Sequence, residues 1–204
     1  MSNLRAAQRA MTRQLLMTTA LELFENKGYA ATTVDDIATA AGTTRATFYA
    51  YFPSRSELMK ALINERLNEE LQRSRSAERG STAQGLIAAV KEGTREAIGA
   101  WMRQTAGHWP AIRPILRIGR DAAAVVDPEL GQLVDRWLEE AISDVEDALQ
   151  QAGRFQPHQR HFRGVLAMAE LDFVAQHWED ADWHLTRDQM LDELTDSWVR
   201  LLGR

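Results

Sequence analysis

The sequence predicts an all-α fold of about nine helices, with an N-terminal helix-turn-helix head and a C-terminal helical body. Three observations lead there. Apolar residues recur three and four positions apart through nearly the whole chain, and no stretch alternates in the manner of a strand. Helix boundaries are marked by Thr or Ser three residues before an acid, by Gly after an apolar run, and by Pro near helix starts. Charge is also divided. Residues 1–60 hold seven basic and five acidic side chains and the remaining 144 hold 17 and 24, in a chain of 204 residues with net charge −5. Only the first part suits a polyanion; the acidic remainder suits another task.

Met1 to Ala10 carries Arg5 and Arg9 without an acid, with Arg13 just beyond. It reads either as a loose tail or as an arm that touches phosphates or the minor groove. A helix is predicted over about Met11–Asn26, where Leu15, Leu16, Ala20, Leu23 and Phe24 form a stripe, and Lys27-Gly28 stops it. Thr32 or Thr33, with Asp35 or Asp36 three residues on, caps a second helix whose inner side is Val34, Ile37, Ala38 and Ala41. Gly42 supplies the positive φ that a tight helix-to-helix turn requires. Thr43 or Thr44 caps the third helix, with Phe48 and Phe52 on its inner face. Its remaining surface is Arg45, Ala46, Thr47, Tyr49, Ala50 and Tyr51. Such a surface can approach a duplex: arginine reads guanine with both fork nitrogens, hydroxyls reach phosphate or base edges, and small side chains touch thymine methyls. Phe24, Ile37, Phe48 and Phe52 are the expected core of this head, with Tyr29 at its edge.

Pro53 ends the third helix, and Ser54 with Glu57 opens a fourth that can run to about Ser76, packed through Leu58, Leu62, Leu67 and Leu71. Arg55 stands in its first turn, where a phosphate could bond both free amides and the guanidinium. Beyond Gly80 helices are predicted at about Ser81–Thr105, Pro110–Val125, Pro128–Ala152, His158–Glu179 and Thr186–Leu202. The domain division is 1–53 for the head, 54–77 for the connecting helix, and 78–204 for the body.

The run TTVDDIATAAGTTRATFYAYFPSRSEL resembles the signature of TetR-family transcriptional regulators, over Leu16 to about Leu62. It shares Ile37-Ala38, the Ala41-Gly42 turn, Thr47-Phe48-Tyr49, and Phe52 followed by Arg55. The resemblance implies a dimeric DNA-binding repressor whose fourth helix joins head to body. It implies base readout by Arg45, base or phosphate contact by Thr47, Tyr49 and Tyr51, and phosphate anchoring by Thr33, Thr44 and Arg55, with Thr43 and Ala46 in the same surface. Two residues depart from the pattern: Ala46, where many relatives carry glycine or proline, and Tyr51, where histidine is frequent. The preferred operator therefore cannot be carried over.

The eighth helix is apolar on more than one side. Phe162, Leu166, Ala169 and Phe173 form one stripe, and Val165, Met168, Leu171, Ala175 and Trp178 lie elsewhere. The last helix adds Met190, Leu191, Leu194, Trp198, Leu201 and Leu202. The resemblance implies that these two helices pair with their copies in a homodimer, with Phe162, Val165, Met168, Leu191, Leu194 and Trp198 at the interface. An internal helix pair would account for the same pattern.

All six tryptophans lie in the body. Aromatic walls from separate helices can enclose a small apolar effector, neutral or cationic rather than anionic given the surrounding acids. Trp101, Trp109, Trp137 and Phe173 are the candidates, against ordinary core packing.

His158 and His161 form HxxH, and His177 to His184 brackets Glu179, Asp180 and Asp182. Without thiolates or a third fixed ligand both read as solvated surface, so neither a metal nor a cofactor is expected. The absence of a nucleophile elbow, phosphate-cradling loop and HExxH leaves no support for an enzyme. No 18-residue apolar run exists, Glu22 and Glu25 interrupt LLMTTALELF, and no cysteine is present. The expected location is the cytoplasm and the expected partners are operator DNA, a small effector and a second copy.

Overall fold

Ten α-helices form among the described residues, and most of their ends trace to a cap, a glycine or a proline. A computed structural model of the chain describes residues 2–76, 82–125, 128–179 and 183–203, with side chains at 4–65, 84–124, 128–179 and 183–203. The 77/78 boundary, the helix start at Ser81, the packing of Leu67 and Leu71, and the stretch 180–182 lie outside these. The helices are α1 (Ser2–Lys27), α2 (Val34–Ala40), α3 (Arg45–Tyr51), α4 (Arg55–Ser76), α5 (Thr82–Glu92), α6 (Arg95–Ala106), α7 (Trp109–Val125), α8 (Pro128–Gln151), α9 (Pro157–Gln176) and α10 (Arg187–Leu202).

The two largest departures from the boundaries read in the sequence are at α1 and within the stretch 81–105. α1 begins at Ser2, so residues 2–10 are helical and not a loose tail. Leu4 to Ala10 contains only good helix formers, and their propensity extends a helix that the core already nucleates. The single helix expected over Ser81–Thr105 is broken into α5 and α6. Gly93 adopts φ +66°, which closes α5, and the Thr94 hydroxyl accepts the Ala97 amide at 3.2 Å to open α6.

The chain groups into two compact units, Met1–Leu67 with Pro114–Val134, and Asn68–Arg113 with Asp135–Arg204. The first buries Leu16, Met17, Phe24, Ile37, Phe48, Phe52, Leu58, Met59, Leu62 and Ile63, which includes the four residues expected at the centre of the head. Tyr29 closes it, its ring centroid 5.0 Å from that of Phe24.

The second unit is built on α6 against α5 and α10, with α9 against α10. Its core holds Ile98, Trp101, Met102, Val145, Leu149, Met168, Leu194, Trp198 and Leu202. A buried cation fastens one end. Arg154, just past α8, donates to the carbonyls of Val90 (2.6 Å), Lys91 (2.8 Å), Glu92 (3.0 Å) and Leu202 (3.0 Å). It thereby satisfies the C-terminal carbonyls of α5 and α10 together. Gly93 makes room for it, since a Cβ there would lie 2.3 Å from Arg154 Nη1.

Candidate nucleic-acid interface

The α2–α3 hairpin is fixed by reciprocal local bonds. Thr33 is the cap of α2: its hydroxyl accepts the Asp36 amide at 3.1 Å, and Asp36 Oδ2 accepts the Thr33 amide at 2.7 Å. Thr32 instead is fully buried, with its hydroxyl on the Gly28 carbonyl at 2.8 Å. Lys27 adds an ion pair to Asp36 at 2.7 Å. The Lys27 ammonium, and then the Thr33 hydroxyl and amide, hold the Asp36 carboxyl well below the usual carboxylate range. At the turn Thr43 donates its amide to the Ala38 carbonyl (2.8 Å) and Gly42 to Thr39 (3.0 Å), with Gly42 at φ +64°. This Schellman arrangement sets the direction in which α3 leaves.

Thr44 caps α3, its hydroxyl accepting the Thr47 amide at 3.1 Å and lying 3.0 Å from the Thr47 hydroxyl. Phe48 is driven inward against Phe52, ring centroids 5.9 Å apart. The same helix therefore turns Arg45, Ala46, Tyr49 and Ala50 outward, with Thr47 and Tyr51 half-buried beside them. Arg45 is pre-positioned on this face. It donates to Asp35 Oδ2 at 3.1 Å and to the Tyr49 hydroxyl at 3.4 Å, with its guanidinium 5.6 Å from the Tyr49 ring centroid. The Tyr49 hydrogen bond and the Asp35 charge raise its pKa further. An exposed pair of this kind adds little to stability.

Arg55 is placed differently from a solvent-facing phosphate ligand. It donates to the Thr32 carbonyl, and its guanidinium lies 4.2 Å from the Tyr29 ring centroid. Its first duty is to tie the start of α4 to the α1–α2 connection. Thr33, Thr43 and Thr44 likewise spend hydroxyl bonds on the hairpin itself, Thr43 on the Ala38 carbonyl at 3.3 Å.

In the second unit the aromatic candidates separate. Trp101 stacks on Trp198 (5.3 Å, 22°) and Trp109 meets Trp178 edge-on (4.8 Å, 88°), whereas Trp137 is half-buried. Phe173 is 58% exposed and rests on His177 at 4.4 Å, so it walls no enclosed space in this unit. Trp198 Nε1 and Thr105 Oγ1 are buried without a hydrogen-bond partner among the described residues.

The interface candidates divide too. Met168, Leu191, Leu194 and Trp198 are buried in the core of their own unit. Phe162 is 61% exposed and Val165 half-buried. Leu166, not among the candidates, is exposed beside Phe162 in a groove lined by His158, Gln159, Arg163 and Leu201. The periodicity of α9 showed two apolar sides without showing which faced inward. Of the histidines, His161 lies 3.2 Å from Glu146 Oε2 and His177 lies 2.8 Å from the Phe173 carbonyl. No helix among the described residues is long and apolar enough to cross a membrane.

Known proteins resemble this chain in two ways. Residues 16–62 match the family model described as bacterial regulatory proteins, tetR family. Over 49 residues the chain is 45% identical to the HTH-type transcriptional regulator EthR of Mycolicibacterium smegmatis, covering 24% of this chain and 23% of that one. Over 51 residues it is 41% identical to the uncharacterized HTH-type transcriptional regulator YuxN of Bacillus subtilis, covering 25% and 18%. The chain thus spans about a fifth of the length of these curated relatives. A TetR family transcriptional regulator from Pseudomonas syringae shares the fold across 94% of this chain and 95% of its own, with TM-score 0.67 and 23% identity. The segment that carries the hairpin is thus similar to the bacterial regulatory proteins of the tetR family, and the fold is shared along nearly all of the chain with a TetR family transcriptional regulator.

Proposed function

We propose that the chain is a cytoplasmic, dimeric transcriptional repressor that binds a palindromic operator and is released by a small apolar effector. The observation that carries this reading is the outward face of α3, where Arg45 is oriented by Asp35 and Tyr49 between exposed Ala46, Tyr49 and Ala50. Residues 1–53 form the DNA-binding domain, 54–77 the connecting helix, and 78–204 the effector-binding and dimerisation domain. Arg45 reads a base. Thr47, Tyr49 and Tyr51 flank it, the exposed hydroxyls of Thr33 and Thr44 turn from their hairpin bonds to phosphate with Thr43 beside them, and Ala46 permits close approach. Two heads then address half-sites one helical turn or a multiple apart.

The second copy docks on the exposed part of α9, through Phe162, Val165 and Leu166 with Leu201 of α10. An exposed apolar stripe of this kind is the ordinary mark of a protein contact. The effector binds among the body tryptophans, Trp101, Trp109 and Trp137, and presents an acceptor to the buried Trp198 indole N–H. An unpartnered buried donor costs about 1–3 kcal/mol, which such an acceptor would recover.

Selection from random duplexes tests the reading. Enrichment of a palindrome with one half-site per head is expected; enrichment of no sequence would overturn it.

A further inference from the structure

α1 reaches well beyond the core that holds it. Its burial begins at Leu16, whereas Leu4 to Met11 are exposed, so about three turns overhang the head. Arg5, Arg9 and Arg13 recur every four residues and therefore share one side of this overhang. That side continues into Leu16 and Ala20, seven residues beyond Arg9 and Arg13, and so it is the side turned toward the rest of the head. Two contacts fix it there. The Arg13 guanidinium lies 5.2 Å from the Phe52 ring centroid and pairs with Glu65, and the Arg9 guanidinium lies 5.5 Å from the Tyr51 ring centroid. Tyr51 is the last residue of α3. The first acid in the sequence is Glu22, so no carboxylate on the overhang competes for these cations or repels a phosphate.

We infer that this overhang is a phosphate-binding rail. Arg9 and Arg5 contact the duplex backbone beside the C-terminal end of the recognition helix, and Arg13 is the internal anchor that sets their angle. The inference rests on the DNA-binding reading of α3 and extends it to a different element. Arg9 stands where the strand bordering an occupied groove would pass, and Arg5 follows about 6 Å further along the helix axis. Stacking on Tyr51 restricts Arg9 before binding, so less side-chain entropy is lost when a phosphate oxygen is gripped. Contacts of this class fix register and add affinity without choosing a sequence. The opposite side of the overhang carries exposed Leu4, Met11 and Leu15, which offer nothing to a phosphate. The rail is therefore one-sided.

The test is the salt dependence of duplex binding, from about 50 to 200 mM, for the full chain and the double variant Arg5→Ala/Arg9→Ala, with far-UV circular dichroism as the helix control. The double variant is expected to flatten the slope by about 0.9 for each phosphate that is no longer neutralised, with the order of preference among operator variants unchanged. Arg9→Lys should keep the slope. A double variant with the parental slope, while the parent binds selectively, overturns the rail and leaves the α3 reading intact. A parent that binds duplex without any sequence preference, yet loses slope in the double variant, does the reverse. An unchanged slope together with loss of self-association in Leu4→Ser/Met11→Ser would reassign the overhang to a protein contact.

Discussion

At the scale of single residues, the interface separates side chains that hold the hairpin from one that is spare. Arg45 makes only exposed contacts, to Asp35 and Tyr49. Arg45→Ala should cost roughly 1–3 kcal/mol of specific affinity, measured by titration of the selected operator, while leaving thermal stability nearly unchanged. Arg55 should behave in the opposite way. Removing its bond to the Thr32 carbonyl and its stacking on Tyr29 in Arg55→Ala should lower unfolding stability by about 2 kcal/mol in urea titration. The family resemblance, with the place of Arg55 in the first turn of α4, pointed both arginines at DNA. It could not distinguish them, because the Tyr29 ring that captures Arg55 lies 26 positions away along the chain. Asp36 adds a pH signature. Its carboxyl is more acidic in the fold than the ordinary 3.8, so its contribution is present above that value and fades as pH falls below it. Asp36→Asn should remove that portion of the acid dependence, read as a flatter stability curve below about pH 4.

At the scale of elements, the hairpin was legible nearly residue by residue because its determinants are local. The Thr33–Asp36 box, the Gly42 turn and the Thr44 cap each act within a few positions. The break between α5 and α6 depended on a distant partner instead. Gly93-Thr94 is a weak stop by itself, and it is Arg154, reaching the carbonyls of residues 90–92, that makes this terminus a fixed corner. Gly93→Ala should therefore combine a strained positive φ with a collision against the guanidinium and cost more than about 2 kcal/mol. Hydrogen exchange at the last turns of α5 and α10 should accelerate together in this variant. If only α5 responds, the shared cap is not holding both helices.

At the scale of the whole molecule, the fold class was readable because periodicity and punctuation run the length of the chain, whereas the family resemblance came from the motif within residues 16–62 alone. The inward side of α9 was not, since two apolar faces on one helix leave the choice to packing against α10. The exposed pair Phe162 and Leu166 gives that choice a consequence for assembly. Phe162→Glu/Leu166→Glu should yield a folded monomer by light scattering and weaken operator binding at least tenfold, because one head alone loses the second half-site. A variant that stays dimeric would move the interface elsewhere. Arg154 bears on how such a chain is made. Its bonds join residues 48 to 64 positions apart, and the farthest along the chain, to Leu202, waits for the final helix. A nascent chain can coil α5 and α8 early, but the fastening of α5 to α10 through Arg154 cannot close until Leu202 has left the ribosome. The second unit should therefore reach its native state in a single late step, and a chain stopped before residue 202 should remain a substrate for proteases however many of its helices have formed.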